Sequence, residues 1–262
     1  LTDAVVGAAA TELYGHAQAL LKQIVDGKLI RARGVYGFWP ANSDGDDVVL
    51  YTPGTGNREP GDKSSSDFQL PSADSRQELL RFPMLRQQEV IADDKPNRSL
   101  ADFIAPIDSG VTDYIGAFAV TAGLGVDDLV KKYEAKHDDY SAILVKALAD
   151  RFAEAFAEYL HAQARKDWGI VDRLTNDDLI DEKFQGIRPA FGYPACPDHS
   201  EKTRLFDLLG ARAVGLDLTE SFAMTPAASV SGLYFSHPQS KYFAIQRIGP
   251  DQVADYARRK GM

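Results

Sequence analysis

The chain has 262 residues, 44% of them hydrophobic, a net charge of −9 and an isoelectric point near 5.1. That length can bury one large core or two small ones, and the acidic balance argues against a nucleic-acid backbone or an anionic membrane surface as partner. No stretch reaches the roughly 18 apolar residues of a bilayer span. A single cysteine leaves no internal disulfide and fits a reducing, cytoplasmic setting.

The opening Leu1-Thr-Asp-Ala lacks the basic start and apolar core of a signal peptide. A start without methionine, with a helical pattern still running at Met262, suggests a piece of a longer polypeptide. Residues 1–30 read as an amphipathic helix with Leu13, Ala17, Leu20, Leu21 and Ile24 inward, stopped at Gly27. Two strands follow around a turn at residues 42–45. Residues 53–75 turn to Gly, Pro, Ser and charge, the composition of a long surface loop. Residues 78–88 resemble a short helix with Leu79, Leu80, Met84 and Leu85 inward. Residues 99–106 read as a buried strand carrying one carboxylate, Asp102, and residues 114–120 as a central strand.

Residues 127–168 form the longest helical pattern, with a break near 137–140. Its expected apolar face is Leu129, Tyr133, Ile143, Leu144, Leu148, Phe152, Phe156 and Tyr159. Thr175 starts another helix with Asp177 and Asp178 in its first turn. Residues 202–209 are helical, residues 221–224, 229–236 and 242–248 suit strands, and residues 251–259 close on a helix. Helices and strands segregate, so the class is α+β with a largely antiparallel, twisted sheet flanked by helices.

The most informative stretch is Arg188-Pro-Ala-Phe-Gly-Tyr-Pro-Ala-Cys-Pro-Asp-His-Ser-Glu-Lys202. Its prolines and glycine forbid a regular helix or central strand, yet it carries Arg188, Tyr193, Cys196, His199 and two carboxylates. A loop stiffened in this way holds a ligand with little ordering cost. Cys196 and His199 have the spacing of half a metal site, but zinc needs three or four ligands and no second cysteine exists. Cys196 therefore reads as a small apolar filler and His199 as a buttress; a Cys196 nucleophile lacks an orienting partner.

Asp102 is either a structural aspartate satisfied by backbone or a carboxylate that receives a ligand's ammonium. Glu154 sits in an i, i±4 acidic stripe with Asp150 and Glu158, the pattern of a solvated face, and Glu182 reads equally as surface. Arg188 offers a two-pronged grip on a carboxylate. Tyr193, Tyr242 and Phe243 supply flat surface for a ring or a positive centre. Neither a dinucleotide-binding glycine fingerprint nor a Walker A sequence is present. The ensemble suggests a zwitterionic ligand with a flat ring.

Several motifs in register resemble the C-terminal activation domain of cobalamin-dependent methionine synthase. They are the proline-rich run above, Leu100-Ala-Asp-Phe-Ile-Ala-Pro106, Asp113-Tyr-Ile-Gly-Ala-Phe-Ala-Val120 and Lys146-Ala-Leu-Ala-Asp-Arg-Phe-Ala-Glu-Ala-Phe-Ala-Glu158. Leu218-Thr-Glu-Ser-Phe-Ala-Met224, Ser229-Val-Ser-Gly-Leu-Tyr-Phe-Ser-His-Pro238 and Ser240-Lys-Tyr242 complete the set. The resemblance implies one C-shaped, helmet-like domain over residues 1–262 that binds S-adenosylmethionine. It places ligand contacts on Asp102, Arg188, Ala190, Tyr193 and Tyr242, with Glu154, Glu182 and Phe243 near the ligand. It implies no catalytic side chain and no metal here; cobalamin and zinc belong to other modules. The implied partners are that cobalamin-binding module and flavodoxin or a diflavin reductase, which together restore methylcobalamin from cob(II)alamin. Phe191 stands where the family often has proline, and Phe243 where it often has tyrosine. A docking module with a vestigial pocket is the alternative.

Overall fold

The computed structural model describes residues 7–52, 77–89, 96–171 and 173–262, so the expected loop at 53–75 lies outside the described residues. The elements in chain order are α1 (Gly7–Gly27), β1 (Arg31–Asp44), β2 (Asp47–Tyr51), β3 (Glu78–Pro83), β4 (Asp113–Leu124), α2 (Val126–Glu134), α3 (Asp139–Asp167), α4 (Asn176–Ile180), α5 (Glu201–Leu209), β5 (Asp217–Leu218), β6 (Met224–Thr225), β7 (Ser229–Tyr234) and α6 (Pro250–Lys260). Five strands form one sheet in the order β3-β2-β1-β4-β7, with β1–β2 and β2–β3 antiparallel, and β5 pairs with β6. The class is α+β. Among the described residues no helix is long and apolar enough to cross a membrane.

The chain divides into two compact units. The first takes Leu1–Val35, Ala119–Val171 and Phe206–Ser231 and is built on the long helix α3. Its buried seam is Ala142, Val145, Ala149, Ala153, Ala157, Leu160 and Ala164, stepping every three or four residues along one face. Small side chains let α1 and α2 approach closely: Leu20, Ile24, Val126, Leu129 and Val130 fill the same cluster. This corrects the expected face. Leu144, Leu148 and Phe152 flank the seam, while Ile143 and Tyr159 are exposed, as is Leu13 of α1. The expected break is present, with His137 at φ 59° and Asp138 capping α3 by accepting the Ser141 N–H at 3.0 Å.

The second unit takes Tyr36–Phe118, Asp172–Leu205 and Gly232–Met262. Its hairpin turns at Gly45-Asp46, a little later than expected, and Asn42 is buried within β1. Residues 78–83 are strand β3 and not the expected helix. Their cross-strand pairs Val48↔Phe82 and Leu50↔Leu80 override the helix-like spacing of the leucines. Residues 100–103 are a 3-10 turn and not the expected strand. Ser99 caps it, and the Asp102 carboxylate accepts the Ser99 N–H at 2.9 Å.

Of the expected 221–224 strand only Met224 pairs, as the first residue of β6. Residues 242–248 form none: their backbone answers other segments, with the Ile245 N–H donating to Pro194 O at 2.7 Å and Gln87 Nε2 to Ala244 O at 3.1 Å. The α4 cap forms as expected, Thr175 and Asp178 satisfying each other's backbone N–H. Phe118 and Tyr234 stack at 4.6 Å in the core of this unit.

Candidate ligand-binding site

The second unit carries a cleft of about 820 Å³, within the usual range for small-molecule sites. One wall is Arg86, Pro96, Arg98, Asp102 and Phe103, and the other is the run His237-Pro-Gln-Ser-Lys241. The walls meet through aromatic packing, since Phe103 lies 6.1 Å from the His237 ring and 6.4 Å from Phe235 and from Phe243, centroid to centroid. The 3-10 turn lifts Asp102 out of the core, leaving its side chain 39% exposed at the cleft. Its partner is Arg86, with Nη1 to Oδ2 at 2.9 Å and Nη2 to Oδ1 at 2.6 Å. Those hydrogen bonds, with the ones to Asp46, hold the Arg86 guanidinium firmly charged against the opposing effect of burial.

The proline-rich loop abuts the same 235–245 segment. Ile187 and Phe235 exchange both backbone hydrogen bonds, at 2.9 and 3.0 Å, and the Leu233 N–H donates to Pro189 O at 2.9 Å. Gly232 is required there: a Cβ on it would stand 2.5 Å from that carbonyl. Phe191 is the apolar anchor, buried against Phe82 at 5.3 Å. Inside the loop, Gly192 N–H bonds Cys196 O at 2.8 Å, Cys196 N–H bonds Tyr193 O at 2.9 Å, and Tyr193 N–H bonds Ala190 O at 3.1 Å. The buried Cys196 thiol donates to the same Ala190 carbonyl at 3.0 Å, and burial pushes its pKa up to about 12. Such a thiol is no nucleophile at neutral pH. The His199 ring packs so tightly on Gly192 (φ +96°) that a Cβ there would fall 2.2 Å from it, the expected buttress.

Helix α6 locks the far end of the loop. Asp198 accepts from Ser200, from Tyr256 Oη at 3.0 Å and from Lys260. Burial raises its pKa, but these donors outweigh burial and bring it down to about 2. Burial pushes the neighbouring Glu201 upward despite its 3.0 Å pairing with Lys260.

Of the candidate ligand contacts Asp102, Arg188, Ala190, Tyr193, Tyr242, Glu154, Glu182 and Phe243, Asp102 alone lines the cleft. Arg188 is at its margin: its backbone N–H donates to the Tyr242 hydroxyl at 3.1 Å, next to Lys241, while its guanidinium lies over Phe184 and 3.6 Å from Glu182. Tyr193 and Tyr242 are exposed, and Phe243 packs on Phe103 beneath the cleft wall. Ala190 supplies the carbonyl that closes the loop. Glu154 belongs to the first unit, exposed on α3 and paired with Arg151 at 2.8 Å. Arg86 and Arg98 lie outside every motif quoted above and are brought in by long-range pairing, whereas Phe103, His237, Pro238, Ser240 and Lys241 lie within quoted motifs that gave them no site role. The cap pattern Ser99-Leu-Ala-Asp102 was a readable sign that Asp102 sits on a helical turn.

An open cleft with an acid on one wall, and a cation-bearing, proline-stiffened loop packed on the segment that leads into the other, define a ligand-holding α+β protein. Residues 1–261 match the family model described as vitamin B12 dependent methionine synthase, activation domain, and the chain belongs to that family. It is also similar to the MetH reactivation domain bound to AdoHcy, known from a crystal structure, at 49% identity and a TM-score of 0.86, over 99% of this chain and 75% of that one.

Proposed function

We propose that residues 1–262 act as one activation domain that binds S-adenosylmethionine at the Asp102 cleft and presents its methyl group to a cobalamin carried by another module. The observation that carries this reading is the Asp102 cleft, with Arg188 hydrogen-bonded to Tyr242 next to its second wall, in a chain 49% identical to a domain that holds AdoHcy. Asp102 receives the α-ammonium. Arg188 takes the α-carboxylate, with the Ala190 backbone beside it. Tyr193, Tyr242 and Phe243 border the adenosine and sulfonium region, with Glu182 and Glu154 as nearby acidic positions.

When bound, S-adenosylmethionine supplies an activated methyl on a sulfonium, already a good leaving group. The chain therefore needs clamps and no proton shuttle, consistent with a site whose one buried nucleophile, Cys196, is held protonated. Its contribution is orientation of the donor. Within the full enzyme, which moves methyl from 5-methyltetrahydrofolate to homocysteine, this chain serves reductive methylation of cob(II)alamin. Flavodoxin or a diflavin reductase supplies the electron, and zinc and cobalamin sit on other modules in the cytoplasm.

Isothermal titration of the chain with S-adenosylmethionine and S-adenosylhomocysteine tests the reading. Saturable binding of both is expected. No binding at millimolar ligand, together with retention of a cobalamin module in pull-down, would leave a docking module without a working pocket.

A further inference from the structure

Arg86 emerged from the structure and from no sequence motif, and every hydrogen-bond donor it has is committed. Its Nε donates to Asp46 Oδ1 at 2.9 Å; Nη1 donates to Asn97 O at 2.8 Å and Asp102 Oδ2 at 2.9 Å; Nη2 donates to Asp46 Oδ1 at 2.5 Å and Asp102 Oδ1 at 2.6 Å. Guanidinium has five N–H groups, so none remains for a ligand's anion. The backbone of Arg86 is fixed as well, since Gln252 of α6 accepts its N–H at 2.7 Å and donates to its carbonyl at 2.9 Å.

The consequences fall on Asp102. A carboxylate offers about four acceptor directions. Two hydrogen bonds from Arg86 and one from the Ser99 N–H use three of them, leaving one on Oδ1. Asp46, Arg86 and Asp102 together carry one net negative charge, so the wall attracts a single cation without presenting two mutually repelling carboxylates. Arg98 and Lys241, which also line the cleft, have no ion pair among the described residues, so the uncommitted positive charge lies on other side chains.

We infer that Arg86 is the positioning residue of this cleft: it aims the one remaining acceptor of Asp102 at a ligand ammonium and takes no part in holding the ligand's carboxylate. This rests on the assignment of Asp102 to the ammonium and deepens it. An Arg86 that served stability alone would alter unfolding without altering which ligands the cleft prefers.

The test titrates the whole chain with S-adenosylhomocysteine and with the same thioether lacking its α-amino group, in wild type, Arg86→Met and Arg86→Lys. Circular dichroism checks the fold of each. Wild type is expected to prefer the amine, Arg86→Met to lose about tenfold of that preference, and Arg86→Lys, which keeps the charge but not the fork, to fall between. A folded Arg86→Met with the wild-type preference overturns the inference while leaving the site reading intact. If Arg86→Met does not fold, the lysine variant decides, and an undiminished preference there overturns it equally. A wild type that binds the amine-free ligand as tightly as the amine removes both the inference and the Asp102 assignment beneath it.

Discussion

Two loops of the second unit face the same 235–245 segment, and they differ in where their charge clamps fall. In the turn at 99–103 buried Leu100, Ala101 and Phe103 hold the backbone, and the charge clamp falls on the candidate ligand residue itself: Asp102 is gripped by Arg86, which is shared with Asp46. In the loop at 188–202 the charge clamp lies at the far end, where Asp198 meets Tyr256 and Lys260, and volume and backbone hold the part nearer Arg188. Phe191 is buried on Phe82, the internal carbonyls and N–H groups pair, and Gly232 lets Pro189 dock. A charge substitution at Arg86 should therefore act on the ligand-facing group of the first loop, and one at Asp198 on the stability of the second.

The largest expected effect is on the proline-rich loop. Phe191→Ala should lower unfolding free energy by about 3–5 kcal/mol, the cost of emptying a buried aromatic site, read from urea denaturation. A loss below about 1 kcal/mol would mean the loop is held elsewhere. Next in size, Arg188→Ala should weaken S-adenosylhomocysteine binding by about 1.5–3 kcal/mol, the worth of a hydrogen bond to a charged group. Arg98→Ala is the comparison, because Arg98 lines the cleft and Arg188 only borders it. A larger loss at Arg98 in titration would move the carboxylate to that side.

A smaller effect follows from pH. The folded Asp198 pKa lies near 2, below its ordinary 3.8, so its stabilisation is present above about pH 4 and is lost as pH falls toward 2. Glu201, raised by burial, works with the opposite sign, gaining stability on protonation. Urea midpoints measured across that acid range should fall less steeply in Asp198→Asn than in wild type; parallel curves would contradict the assignment. The smallest expected signal is chemical. Cys196 should resist iodoacetamide at pH 8 in the folded chain and react only after denaturation.

Legibility in the sequence followed the same division. The proline-rich loop was readable because proline, glycine and one arginine act locally, and its buttress His199 and filler Cys196 took the expected places. The α+β class, the break before α3 and the Thr175 cap were likewise local signals. Residues 78–83 misled because leucine spacing suits a helix until β2 offers Val48 and Leu50 as partners. The seam of α3 misled in another way: large apolar residues drew attention, while alanines at 142, 149, 153 and 157 make the close contact. Asp102 was recognisable, but its Arg86 clamp joins segments that no motif connects.

The central claim is that a zwitterion is held with its ammonium on Asp102 and its carboxylate by the loop at Arg188. A crystal structure of the chain with S-adenosylhomocysteine tests it most directly. The account predicts the ligand amine within hydrogen-bond distance of Asp102 Oδ1 and the carboxylate against Arg188. Ligand density that leaves Asp102 contacting only Arg86 and Ser99, or that lies outside this cleft, would contradict it.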